Sequence, residues 1–275
     1  MRTSRTNILP GFGLATGYAI TYLGLLVLIP LAAVVAMASS RGLDGLWESM
    51  TNRRSLTAYR LSVFSALAAA TVNAFFGVVI AWVIVRYRFP GRKIVDALID
   101  LPLALPTAVA GIALTAVYSK EAWLGSLLDR MGITVAYTNL GVAVAMVLVS
   151  LPFTVRTVQP VIEDLDQEIE EAAASLGATS GTTFRRVIFP ALLPALLTGF
   201  ALSFAKSVGE YGSIIFISSN IPGSTEIAPL LIMTRLEEFN YPGAAGVAVG
   251  LLILSLSLLL VVNTLQAWMR RGARA

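Results

Sequence analysis

Lys206 and Glu210 stand four residues apart in a stretch that is otherwise apolar, with Gly209, Tyr211 and Gly212 beside them. The chemistry open to such a pair is the handling of charge. Either group left alone at the centre of a bilayer costs about 2.5 to 3.5 kcal/mol, so the two pair with each other or line water. We read them as a gate or lining element of a translocation path, with the glycines letting the backbone bend. The competing reading is a structural ion pair at the outer end of a helix. It is disfavoured because Lys precedes Glu, the weaker i,i+4 order, and because glycines disfavour helix. Arg235 is a further candidate for attracting an anion, although Glu237 and Glu238 beside it predict a local ion pair instead.

A second constellation lies between residues 163 and 186. Leu165, Ile169, Ala172, Ala173 and Leu176 fall on one helical stripe, while Glu163, Asp164, Asp166, Glu168, Glu170 and Glu171 crowd the other faces. That pattern predicts a short amphipathic helix at a surface. Gly177 can take positive φ and stop it, and Thr179 or Ser180 can cap a second short helix running through Phe184, before a restart at Pro190. The result is a helix-turn-helix knob. Its paired alanines allow another backbone to approach closely, and its acids offer partners to basic groups on a docking protein. A merely solvated acidic loop needs neither the Ala pair, the Gly stop nor Pro190.

The elements that must position these groups are membrane helices. Hydrophobic residues make up 56% of the 275-residue chain and charged ones only 13%, too apolar for a soluble surface. Six stretches are long enough to cross about 30 Å of hydrocarbon, near 14–37, 60–85, 98–118, 139–159, 188–206 and 244–268. The third contains Pro102 and Pro106, which predict irregular first turns. The fifth is interrupted from Lys206 to Gly212, where a break or re-entrant bend is expected. After it, the run Ile227 to Leu236 is too short to span and reads as a short helix at the outer face or dipping toward a pore.

Counting Lys and Arg in alternate loops gives twelve against six. The richer set holds Arg86, Arg88, Arg92, Arg185, Arg186 and both chain ends, which places the termini and the 163–186 loop in the cytoplasm. The first stretch, preceded by Arg2 and Arg5, is read as a retained anchor because its apolar core exceeds that of a signal peptide.

There is no Cys and no His, which excludes disulfide scaffolds, Cys/His zinc sites and histidine triads, and no metal site is expected. No Gly-Lys pair occurs, so the chain has no Walker-type phosphate loop. If ATP drives it, another subunit binds the ATP.

Glu171-Ala172-Ala173, with Gly177 and Pro190 at their spacing, resembles the EAA signature of permease subunits in bacterial ABC importers. Val187 stands for the usual Ile and Phe189 for the usual Leu, with little change in chemistry. The resemblance implies an all-α fold with six transmembrane helices and a cytoplasmic coupling loop that docks onto an ATPase. Glu170, Glu171, Ala172, Ala173, Gly177 and Pro190 would carry that coupling.

The stretches Ile99 to Gly111, Gly209 to Gly212 and Thr234 to Pro242 narrow it: they look like the T-type permease subunits of bacterial sulfate/thiosulfate importers, over nearly the whole chain. Molybdate permeases share the first two stretches and the EAA loop. The implied partners are a homologous W-type permease, two ATP-binding subunits that hold ATP and Mg, a periplasmic sulfate/thiosulfate-binding protein and the lipid of the bacterial inner membrane. No cofactor in the chain itself and no nucleic acid is implied. Molybdate transport is the nearest alternative. An ion-driven secondary transporter leaves the EAA-like loop unexplained, and a membrane enzyme lacks His, Cys and acids at membrane depth.

Overall fold

The computed structural model describes residues 12–272; Arg2, Arg5 and Arg274 of the loop count lie outside them. The described residues are almost wholly helical, and no strand occurs among them. α1 (Phe12–Leu23) continues through a π turn into α2 (Ile29–Ala38), followed by α3 (Gly42–Thr51). Asn52 ends α3 and starts α4 (Arg53–Arg86), its side chain accepting from the Ser55 N–H at 2.9 Å. α5 (Arg92–Ala104) and α6 (Thr107–Tyr118) follow at 115° to one another, then α7 (Trp123–Arg130) and α8 (Asn139–Glu163). α9 (Gln167–Ser175) and α10 (Ser180–Thr183) precede a second π turn and α11 (Phe189–Val208). The chain closes with α12 (Ile214–Ile217), α13 (Ala228–Glu237) and α14 (Tyr241–Gly272).

Among the described residues, five helical stretches are long and apolar enough to cross a membrane, and six if α5 and α6 form one broken span. Pro102, expected to disturb that span, instead sits buried inside a regular α5. The break is at Leu105, which precedes Pro106 and takes an extended ψ of 140°. The ring of a following proline disfavours the helical region at just that place.

The centre of the bundle is α4, α8 and α11, held by small residues rather than bulky ones. Thr154 of α8 lies between Gly77 of α4 and Gly199 of α11; a Cβ at either glycine would approach it to 2.8 or 3.0 Å. In lipid, where apolar burial gives no gain between helices, such close backbone approach and interhelical hydrogen bonds supply the association. Asn73 of α4 provides the bonds: its amide donates to Ser150 Oγ at 2.8 Å, to the Val147 carbonyl at 3.1 Å and to Ser203 Oγ at 3.2 Å. Ala66, Ala69 and Ala70 of α4 then meet Val142, Met146, Phe204, Ile214 and Ile227 in the main apolar cluster.

Both π turns, Gly24–Leu28 and Phe184–Ile188, are followed after one residue by proline, Pro30 and Pro190. A proline has no N–H to give to the fourth residue before it and its ring crowds that carbonyl. The wider i→i−5 turn, closed at the second site by Phe189 N–H on the Phe184 carbonyl, lets the helix continue past the proline.

Candidate functional site

The segment after α8 folds as a helix pair. Asp166 caps α9, its carboxylate accepting from Glu168 N–H at 3.0 Å, and Glu168 and Glu170 in the first turn favour the positive helix end. Gly177 stops the helix at φ 79°, with the Ala178 N–H on the Ala173 carbonyl at 3.0 Å. Thr179 caps α10 by accepting from Thr182 N–H at 3.3 Å. The expected separate second helix and restart at Pro190 are corrected here: α10 runs through the π turn into α11 without interruption, for the reason just given.

The pair stands off the bundle. Glu171, Ala172 and Ile169 are exposed, and Leu176 is 89% exposed. Glu170 turns the other way. Its Oε1 accepts from Arg86 Nη2 at 2.7 Å, and the Arg86 guanidinium lies 5.3 Å from the centre of the Trp82 ring. A groove of about 1040 Å³ separates the end of α4 from α9 and α10, lined by Trp82, Tyr87, Ala174 and Phe184. A second, of about 640 Å³, lies on the other side of Arg86, lined by Arg92, Glu163 and Asp166.

At the far end of α11 the Lys206 ammonium meets Glu210 Oε2 at 2.7 Å. The Glu210 side chain is only 2% exposed, while that of Lys206 is 33% exposed. The other carboxylate oxygen, Oε1, accepts from both Ser213 N–H and Ser213 Oγ at 3.1 Å, fixing the turn into α12. Gly209 caps α11 at φ −88°, so it uses no left-handed freedom. The role of Gly212 is close approach rather than bending: a Cβ there would sit 2.2 Å from Thr107 Oγ1 of α6. Gly111 of α6 is its counterpart, where a Cβ would meet the Ser213 carbonyl at 2.3 Å. The broken third span and the 209–214 turn are thus in backbone contact. Tyr211 is half-buried there, and burial raises its hydroxyl pKa.

Arg235 departs from its sequence reading. It makes no ion pair with Glu237 or Glu238, which are exposed at the end of α13. Its guanidinium is buried and donates to the Gly243 carbonyl at 2.7 Å, to Ser55 Oγ at 3.1 Å and to the Ser49 carbonyl at 3.4 Å. Phe239 at φ 58° turns the chain into α14, which offers the Gly243 carbonyl to the arginine, while the Ser49 carbonyl comes from α3. Burial pulls its pKa down from the ordinary value. It staples α13 to the starts of α4 and α14 rather than lining open space.

A further charged cluster escaped the sequence reading. Arg156 of α8 forms a two-pronged pair with Asp100 at 2.8 and 2.6 Å, and also donates to Asp96 Oδ1 and Gln159 Oε1, each at 2.6 Å. Asp96 and Asp100 lie one helical turn apart on α5, the only signal that one guanidinium can grip both. The grip holds α5 against α8 below the 115° bend.

Set against known proteins, residues 73–275 match the family described as "binding-protein-dependent transport system inner membrane component". The sulfate transport system permease protein CysT of Synechocystis sp. is 51% identical over 254 residues, 92% of this chain and 89% of that protein. Its counterpart of the same name in Escherichia coli is 47% identical over 264 residues, covering 96% and 95%. Among solved structures, a bacterial ABC transporter involved in import of the acidic polysaccharide alginate superposes with a TM-score of 0.73 at 14% identity, over 94% of this chain and 96% of that one. An amino acid ABC transporter gives 0.53 at 18% identity over 79% and 94%.

Proposed function

The chain belongs to the family of binding-protein-dependent transport system inner membrane components, the permease subunits of ABC-type importers, and we propose that it carries sulfate and thiosulfate inward as one half of a two-permease pore. The observation that carries the substrate is the near-even identity, 47 to 51%, with sulfate permeases along nine-tenths or more of the chain. The partner half is a homologous W-type permease. Two ATP-binding subunits hold the nucleotide and its magnesium, and a periplasmic binding protein delivers the anion.

In this reading α9 is the coupling helix. Its exposed Glu171 and Ala172, with Leu176 just past its end, meet the ATPase on the cytoplasmic side, a side that the excess of Lys and Arg in the sequence supports, and Gly177 and the π turn before Pro190 set its angle to α11. Closure of the ATPases displaces α9. α11 is continuous with that segment and carries Lys206 near its other end, 20 residues or about 30 Å away. Lys206, one-third exposed and partly neutralised by Glu210, is the cation we place beside the path. One screened cation holds a dianion weakly enough to let it go, which a pathway requires. Gly209, Tyr211 and Gly212 form the turn that seats it against α6.

Deleting the gene is expected to abolish growth on sulfate as sole sulfur source, with recovery on cysteine. Unimpaired sulfate uptake with lost molybdate uptake would transfer the assignment to molybdate.

A further inference from the structure

α4 has a charged joint at each end. At one, Arg86 grips the coupling helix through Glu170, at 2.7 Å, and reaches the Leu165 carbonyl just before it at 3.4 Å. Grooves of about 640 and 1040 Å³ on either side leave Arg86 as a point attachment between α9 and the bundle. The Arg86 side chain is only 13% exposed and its Nε is buried without a partner. Its guanidinium also lies 5.3 Å from the centre of the Trp82 ring, on α4 itself. At the other end Arg54 makes a two-pronged pair with Glu226, at 2.8 and 2.7 Å, and the Glu226 side chain is 2% exposed. Ser62 Oγ, two turns along, accepts the Ala228 N–H at 2.8 Å, so α4 also holds the start of α13. The two arginines are 32 residues apart on one uninterrupted helix, about 48 Å.

We propose that α4 is a strut that transmits movement of the coupling helix to the outer segment around Glu226 and α13, with Arg86 and Arg54 as its positioning residues. On this reading the two acids of the coupling motif divide the work. Glu171 faces the ATPase and Glu170 faces home. A displacement of α9 that leaves Arg86–Glu170 closed must move the end of α4, and a helix of this length moves as a body because its core face is packed against α8 and α11. The proposal rests on the functional reading above, which supplies the ATPase and the cargo.

The test uses the complete complex, purified with its ATPases and partner permease and reconstituted in proteoliposomes with the binding protein inside or out as required. Sulfate moved per ATP hydrolysed is measured for the wild type, Arg86→Ala, Arg54→Ala, their double, and the exchange Arg86→Glu with Glu170→Arg. The strut predicts that Arg86→Ala still copurifies with ATPase and still hydrolyses ATP, while sulfate per ATP falls at least about fivefold. It predicts that the exchange restores most of that ratio, and that the double variant is no worse than the worse single, since both joints lie on one path. A wild-type ratio in Arg86→Ala overturns it. So do losses that multiply in the double, or an Arg86→Ala complex that sheds its ATPase and is not rescued by the exchange, which would make the pair a docking support only. If the wild-type complex itself moves no sulfate, the functional reading fails instead, and the two failures are told apart by that control.

Discussion

Replacing Lys206 with Met and Glu210 with Gln, singly and together, probes the charge pair at the end of α11. Lys206→Met leaves a carboxylate that is 2% exposed with only Ser213 N–H and Ser213 Oγ for company. Removing the partner of a buried charge costs about 3 to 5 kcal/mol. Glu210→Gln leaves Lys206, which is one-third exposed and can turn to water, while the amide oxygen still accepts from Ser213; the loss of one charge-assisted bond is worth about 1.5 to 3 kcal/mol, and the low end applies. The double variant has no orphaned charge and should lie within about 1 kcal/mol of wild type, a coupling of at least about 3.5 kcal/mol between the two sites. The assay is the fraction of complex surviving a graded heat challenge in detergent, read by size-exclusion chromatography. Expected survival falls in the order wild type, double, Glu210→Gln, Lys206→Met. Sulfate uptake separates brace from path: with the cation gone, the double variant should fold and yet transport about tenfold more slowly. Equal mildness of the two singles would refute the burial argument, and wild-type uptake by a stable double would remove Lys206 from the path.

Three other outcomes follow from named contacts. Gly177→Val meets no steric obstacle but forces a β-branched residue to φ 79°, costing about 1 to 2 kcal/mol locally; together with Glu171→Lys it should lower ATPase copurification while leaving the amount of inserted permease unchanged, as checked by quantitative blotting of membranes. Gly111→Ala drives a methyl into the Ser213 carbonyl and should cost about 1 to 3 kcal/mol or more in the same heat challenge, whereas Gly181→Ala, with open space around it, should be silent. Asn73→Ala should cost about 0.6 to 1.7 kcal/mol because the serine cluster can re-pair, while Asn73→Asp puts a charge inside the bundle and should sharply reduce membrane-inserted protein, measured by carbonate-resistant yield.

The apolar stretches and the helix pair after α8 were legible because each has a local signature: length and hydropathy for the first, and the run from Asp166 through Gly177 to Thr179 for the second. What escaped depends on partners distant in sequence. Arg156 and Asp100 are 56 residues apart, and Asn73 and Ser203 are 130 apart, with nothing periodic to join them. Arg235 was misread for a related reason. The neighbouring Glu237 and Glu238 are visible in the sequence, but two of its three acceptors are backbone carbonyls, which every residue carries and no sequence distinguishes, and the third is the hydroxyl of Ser55, 180 residues away. The prolines were half-legible. A Pro in a helix signals a disturbed ladder, yet Pro106 breaks α5 from α6, Pro102 sits within α5, and Pro190 is absorbed by a π turn. Which of these happens depends on whether neighbouring helices hold the segment straight. Likewise Gly212 reads as a hinge until Thr107 is seen against it.

The account stands on one activity, inward movement of sulfate by this permease together with a separate ATPase. The direct measurement is uptake of radiolabelled sulfate into proteoliposomes holding the affinity-purified complex, with binding protein outside and ATP trapped inside. The account predicts ATP-dependent accumulation that thiosulfate competes away and molybdate does not, from a complex containing this chain, a second and different permease, and two ATPase subunits. Accumulation without ATP, competition by molybdate alone, or a pore built of two copies of this chain would contradict it.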